Sequence, residues 1–498
     1  MSSVPLAYRV RAFAGGFLRR SIQRQRGQFL ADARKSAQMC QHQTLQRLLT
    51  LNADSEFSRD FHLRSGMSVE EFRRSIPVSD YELVRPYIDR MKSGQHKALL
   101  GTGNELLMYA VTSGTTAESR LIPVTTQFVA DYRRGWQSWG LGAYTDHSAL
   151  LPLNMVQLTS SHRRFFTEDQ TPCGNISGLV AAMQRKVVQS MYTIPPQAAD
   201  VRDAFAKRYL VVRLAAADPY AGMLVTANPS TIIQMMELLQ QRADSIIDDI
   251  RTGGLSVDID ETVRRSLHKR LRPRPERARQ LQELRNRDGS LRPAAIWPHL
   301  QLLGVWCGGS AGSYVPPLRK LFDGLPVRDH GLHASEGRMT MPIEDNSPTG
   351  ILEVQTHFFE FIPVNEAESA NPIVLEAHEL QEGQEYFILL TTSSGLYRYN
   401  IRDVVRCTGF YGATPMLEFR HKGAHISSIT GEKIAESQVV EAVQQAARQL
   451  QISLRQFTLT PEWGDPPGYS LFVDVAEDAG ASRLAQLATE SDQLLRHG

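Results

Sequence analysis

Thr112-Ser113-Gly114-Thr115-Thr116, followed by Arg120, is the densest group of ligand-binding chemistry in this 498-residue chain. Glycine lets the backbone turn its N–H groups toward one point, and the hydroxyls add donors that adapt to oxygen ligands. With the cation of Arg120, the set suits a polyphosphate. The spacing of a Walker loop is absent, so a Ser/Thr-rich surface turn is the competing reading.

Four further groups carry chemistry. Gly308-x-Ser310-x-Gly312 follows an apolar run and matches the nucleophile elbow of α/β-hydrolases. That enzyme needs an acid and a histidine downstream, for which Asp403 and His421 can be nominated without local support. The other reading is a glycine turn that lets the backbone approach a nucleotide. Ser335-Glu336-Gly337 offers a carboxylate that could hold Mg²⁺ beside substrate phosphates. Asp403, just before Val404-Val405, could accept both hydroxyls of a ribose or simply pair with a neighbouring arginine. Gly431-Glu432-Lys433 is a loop lysine ahead of a helix, either a surface cation or one carried to a site by a small domain.

The elements that must position these groups read as α/β. Leu106–Val111 is a strand leading into the hydroxyl-rich turn, and Thr126–Trp139 a helix after it. Ser68, with Glu71 three residues on, has capping-box character. Leu210–Leu214 and Met223–Ala227 read as strands, and Asn228-Pro229 opens a helix that Gly253-Gly254 stops. Leu300–Cys307 is an apolar run typical of a buried parallel strand. With the following helix and a strand near Leu325–Arg328 it makes a βαβ unit, whose ligands gather at the carboxyl ends of the strands. Ile351–Ile362, Tyr386–Thr391 and Val404–Phe410 mark a β subdomain at about 350–420. A helix at Ala435–Leu450 and a strand near Tyr469–Val475 form a small α/β C-terminal domain over 425–498, and 36–424 is the large domain.

Composition sets outer bounds. A hydrophobic fraction of 42% and a net charge of +2 describe an ordinary globular chain and give no argument for nucleic acid. Cys40, Cys173, Cys307 and Cys407 lie far apart, without metal spacing, as suits a reducing, cytoplasmic setting. Residues 1–35 read as a basic helix: arginines sit at 9, 11, 19, 20, 24 and 26, and no acidic residue precedes Asp32. It either lies on the main domain, the favoured reading, or touches a membrane through residues 1–31.

Taken together, Thr112–Thr116, Ala334-Ser335-Glu336-Gly337, Gly395-Leu396-Tyr397-Arg398-Tyr399…Asp403-Val404-Val405 and Thr430-Gly431-Glu432-Lys433 resemble the acyl acid amido synthetases. These are the enzymes of plant auxin and jasmonate conjugation with their bacterial relatives, a branch of the adenylate-forming superfamily. Phe358-Phe359-Glu360-Phe361-Ile362-Pro363 and Arg406-Cys407-Thr408-Gly409-Phe410 also resemble the family. The resemblance implies an ATP- and Mg²⁺-dependent ligase that joins a carboxylic acid to an amine, usually of an amino acid, through an acyl-adenylate. Transfer to a thiol, or an inactive nucleotide-binding relative, are the alternatives.

By the family's motifs, Thr112, Ser113, Gly114, Thr115 and Thr116 would hold the phosphates with Arg120, and Glu336 the Mg²⁺. Gly308, Gly309, Ser310, His333, Ala334, Ser335 and Arg420 would lie along the nucleotide. Asp403 would bind ribose, and Lys433 would reach the α-phosphate after the C-terminal domain rotates. The acyl pocket is expected from Leu158–Met183 and around Met339. Three positions depart from the family's pattern. Leu332 replaces a tyrosine against adenine, Arg120 a lysine, and Arg402 the glycine before the ribose-binding aspartate. The resemblance also implies a C-terminal domain shorter than usual.

Overall fold

The structure, a computed structural model, describes residues 5–112, 119–367, 369, 371–423, 426–427, 434–462, 464, 467–475 and 479–497. At its centre is a four-stranded parallel sheet in the order Asn154–Gln157, Ala221–Val225, Leu302–Val305, Val327–Asp329. All four residues of Leu302–Val305 are buried, as a strand covered on both faces requires. The helix Val315–Leu321 returns the chain to Val327–Asp329 and completes the expected βαβ unit.

The helices around this sheet are set by local signals. Asn228 accepts from the backbone N–H of Ser230, Pro229 occupies the first turn, and Gly253 ends the following helix with φ +81°. Leu210–Leu214 is not a strand. It lies inside the helix Ala204–Ala216, opened by Asp203, whose carboxylate accepts from Ala206 N–H. Tyr209 through Ala216 are all buried, and a short run apolar on every side has no period to separate helix from strand. Arg213 shares that interior because its guanidinium donates to the carbonyl of Asp249 at 3.0 Å.

A second, mixed sheet joins Leu106–Thr112 antiparallel to Arg120–Thr125 and parallel to Pro172–Gly174. The β subdomain is a seven-stranded antiparallel sheet built from residues 340–422. Ile351–Ile362 divides there into two strands, Thr349–Leu352 and Phe358–Pro363. The break frees Glu353 to meet the buried Arg338 at 2.8 Å. Glu360 lies between Arg73 (2.8 Å) and Arg398 (3.0 Å), which ties the Phe-Phe-Glu-Phe and Leu-Tyr-Arg-Tyr motifs into one buried ion cluster.

The C-terminal segment contains the helices Glu436–Gln449 and Gly480–His497 and a hairpin of Leu454–Glu462 with Gly468–Val475. They share a small core of Ala446, Ala447, Ile452 and Leu487. At the other end, Leu6–Ala14 and Gly16–Lys35 are helices lying on the large domain, as the favoured reading expects. Arg11 holds them there, donating to the carbonyls of Ser190, Pro152 and Leu153 and to Asn154 Oδ1. Among the described residues, no helix is long and apolar enough to cross a membrane.

Candidate active site

A single cavity of about 1420 Å³ opens at the carboxyl ends of the parallel strands and runs beneath the N-terminal helices. Pockets for one small ligand occupy roughly 300–1,000 Å³, so two ligands fit here side by side. Thr112, Arg120, Gly308, Ser310, His333, Ala334, Ser335, Glu336 and Asp403 all face it. Segments more than 290 positions apart in sequence thus converge on one wall. Ser113, Gly114, Thr115, Thr116 and Lys433 lie outside the described residues.

The Glu336 turn is closed by two backbone bonds, Ala334 N–H to the Gly337 carbonyl (2.8 Å) and the reverse (3.3 Å). Gly337 is required there, because a Cβ would stand 2.4 Å from His357 Nε2. Burial raises the Glu336 carboxyl pKa; Lys422 and Arg120 oppose the rise and Asp403 adds to it. Asp403 is likewise pushed up by burial, with the Lys422 ammonium 2.5 Å from its Oδ1 pulling it down. The site therefore gathers two buried carboxylates and two cations around one point. Among the described residues no cluster of three or more metal-ligating side chains exists. A Mg²⁺ ion held by one carboxylate and substrate phosphates needs none.

The glycine loop explains its own pattern. Gly309 has φ +56°, and a Cβ on it would come within 2.8 Å of the Phe419 ring; one on Gly308 would meet the Phe419 carbonyl at 3.0 Å. The glycines let this loop lie against the β subdomain. Among the described residues no hydrogen bond joins Ser310 to His421 or Asp403, so the hydrolase elbow is not assembled. Gly309 and Arg420 do not line the cavity. Arg420 turns instead to Glu385 and Glu418, 3.0 Å from each. Arg402 lines it with φ +60°, the left-handed conformation glycine takes readily, its N–H donating to Asn400 Oδ1.

Most of the remaining wall was not legible in the sequence. The helix Thr126–Asp146 presents Tyr132, Trp136, Gly140 and Tyr144 to the cavity at four-residue intervals. His330 and His333 pack on Trp136 and Trp306 packs on His333, with ring centroids 5.0–6.0 Å apart. Burial, with Arg338 adding to it, lowers His333 to about 3, so the ring is neutral. Of the expected acyl pocket, Leu158, Ile176, Val180 and Ala181 line the cavity. Met339 is instead fully buried in the core, and Met183 is turned outward. Arg11, Gly15, Arg19 and Ile22 of the N-terminal helices close the far side; an amphipathic pattern alone does not say which face meets a cavity.

The fold is that of an acyl acid amido synthetase. The solved structure of GH3.15 acyl acid amido synthetase superposes with a TM-score of 0.81 over 93% of this chain and 84% of that one, at 22% identity. The same enzyme in complex with 2,4-DB matches equally, with a TM-score of 0.81. The GH3 family N-terminal domain matches residues 26–327 and the GH3 family central domain residues 350–422; the chain belongs to the GH3 family. It is 25% identical to indole-3-acetic acid-amido synthetase GH3.3 of Arabidopsis thaliana, across 84% of this chain and 73% of that protein. It is 24% identical to jasmonoyl–L-amino acid synthetase GH3.5 of Oryza sativa subsp. japonica, across 92% and 84%.

Proposed function

We propose that the protein is an ATP- and Mg²⁺-dependent ligase that joins a carboxylic acid to the amine of an amino acid. The carrying observation is the convergence of Thr112, Arg120, Glu336 and Asp403 on one end of a two-ligand cavity. In the first step the acid's carboxylate oxygen attacks the α-phosphorus of ATP and pyrophosphate leaves. In the second the amine nitrogen attacks the acyl carbon, AMP departs and the nitrogen loses a proton. Positioning and charge neutralisation carry the first step. Thr112–Thr116 and Arg120 hold the phosphates, Glu336 the Mg²⁺ and Asp403 the ribose. Gly308, Ser310, His333, Ala334 and Ser335 flank the adenosine, with Gly309 shaping the loop against Phe419 and Arg420. The rest of the cavity receives the acid. Lys433 enters from the C-terminal domain, residues 425–498, to reach the α-phosphate.

The test is pyrophosphate release from ATP across aromatic, indolic and fatty acids, with hydroxylamine trapping activated acyl groups. Acid-dependent pyrophosphate with hydroxamate supports the reading, and Lys433→Ala abolishes both. ATP binding without either product across the panel leaves a nucleotide-binding relative, and coenzyme A outcompeting every amine makes it a thioester-forming enzyme.

A second reading concerns location. The protein acts in the cytoplasm and touches anionic membranes through residues 1–31. The support is the outward face of the first helix, where Leu6, Val10 and Phe13 are 72%, 57% and 82% exposed beside the arginines. An apolar stripe flanked by cations is the pattern of an interfacial helix.

A further inference from the structure

The charges lining the cavity are unevenly divided. Its carboxylates, Asp329, Glu336, Asp403 and Glu436, all belong to the segments that build the proposed nucleotide end. Among the described residues the other arm has none, yet Arg11, Arg19, Arg133 and Lys207 line it, with Arg185 and Arg208, which are solvent-exposed. Two of these cations are used by the fold. Arg11 is committed to the carbonyls that anchor its helix, and Lys207 Nζ donates to the Ala199 carbonyl at 3.0 Å.

Arg19 and Arg133 are different. Neither has a carboxylate partner among the described residues, and Arg133 Nε is buried without a hydrogen bond. Both stand beside phenols that face the same space. Tyr144 feels Arg11 and Arg19, and Tyr192 feels Arg133 and Tyr144. From Tyr132 to Tyr144 the wall helix advances about 18 Å at 1.5 Å per residue. Arg19 and Arg133 thus adjoin one pair of phenols on the wall that this helix helps to form. A purely apolar acid filling that arm would strip water from two unpaired guanidinium groups, a costly outcome.

We propose that the acid substrate carries a second anionic group (carboxylate, sulfate or phosphate) remote from the carboxylate that is activated, and that Arg19 and Arg133 read it beside Tyr144 and Tyr192. This rests on the ligase reading, since it assigns the arm to the acid. Planar guanidinium forks suit all three anions, and charge-assisted bonds are about twice as strong as neutral ones.

The test uses the full chain and a homologous series of α,ω-dicarboxylic acids with their monomethyl esters. Pyrophosphate release gives kcat and KM for each, and calorimetry without ATP gives binding. The expected preference for the diacid over its half-ester is roughly tenfold or more in kcat/KM, carried by KM. Arg19→Gln and Arg133→Gln each remove most of it, Arg19→Lys retains part, and KM for ATP stays unchanged. Equal use of diacid and half-ester, with both arginine variants neutral, overturns the inference. So does a rise in KM for ATP, which would assign the cations to the nucleotide. An effect confined to amide formation would assign them to an acidic acceptor amine and overturns it as well. Diacid-selective, arginine-dependent binding without pyrophosphate release keeps the inference while the ligase reading falls; absence of such binding sinks the inference whether or not the enzyme turns over.

Discussion

Asp329 ends the last strand of the parallel sheet with a carboxylate that accepts from the backbone N–H of Cys307 and of Gly331, both at 2.5 Å. Burial nevertheless dominates and raises its pKa to about 6, against roughly 3.9 in an unfolded chain. The folded protein therefore holds a proton that the unfolded one has released between about pH 4 and 6. Stability from this group is full below that window and is lost as pH rises through 6, by about 3 kcal/mol in all. Urea unfolding at pH 4.5 and 6.5 should show this slope in the wild type and its loss in Asp329→Asn. Glu336 makes a second residue-scale prediction: Glu336→Gln keeps the turn but removes the charge, so acid-dependent pyrophosphate release should fall about a hundredfold or more. A fall in thermal stability large enough to explain that loss would count against the role.

Elements were legible where their signals are local. Ser68 accepts from Glu71 N–H while the Glu71 carboxylate accepts from Ser68 N–H, as the sequence spacing predicts, and the Asn228-Pro229 start was read from two adjacent residues. Ser68→Ala should cost about 1 kcal/mol by chemical denaturation and leave turnover unchanged, the helix start being remote from the cavity. Leu210–Leu214 was illegible because burial on all sides erases the periodicity that separates helix from strand. The cavity face of Thr126–Asp146 was half legible: Tyr132 and Trp136 mark its stripe, but only the fold shows that Gly140 continues it. A Cβ at Gly140 would meet nothing within 4 Å. Gly140→Leu should therefore fold normally and block the deep arm, raising KM for long acids while sparing short ones. Equal kinetics for both would place the acid elsewhere.

At the scale of the molecule, the proposed nucleotide end was legible as separate motifs that the fold brings to one cavity, whereas the far wall was not. Nothing in the order of residues 5–25 says that they cover a cavity built far downstream; that follows from Arg11 reaching the carbonyls of Pro152 and Leu153, 141 and 142 positions on. The outer face of the same helix carries the membrane prediction. Sedimentation with vesicles containing anionic lipid should capture the protein, weaken with salt and fail for neutral vesicles. Replacing Leu6, Val10 and Phe13 by serine should abolish capture while turnover on a water-soluble acid persists. Unchanged capture by that variant would leave the helix as a solvated lid.

The two ends of the cavity differ in how they are written in the chain. The proposed nucleotide end is stitched from stretches between Thr112 and Glu436, so no single stretch can alter it coherently. The cover of the other arm, Arg11, Gly15, Arg19 and Ile22, comes from one contiguous run, tied to the large domain by Arg11 and by the Tyr8 ring against Tyr220, and it precedes residue 26, where the family's N-terminal domain match begins. The proposed nucleotide end is thus dispersed through the chain, and the cover opposite it is an exchangeable faceplate. Related chains could change how the arm is covered, and leave its inner wall as it is, by rewriting about twenty adjacent codons.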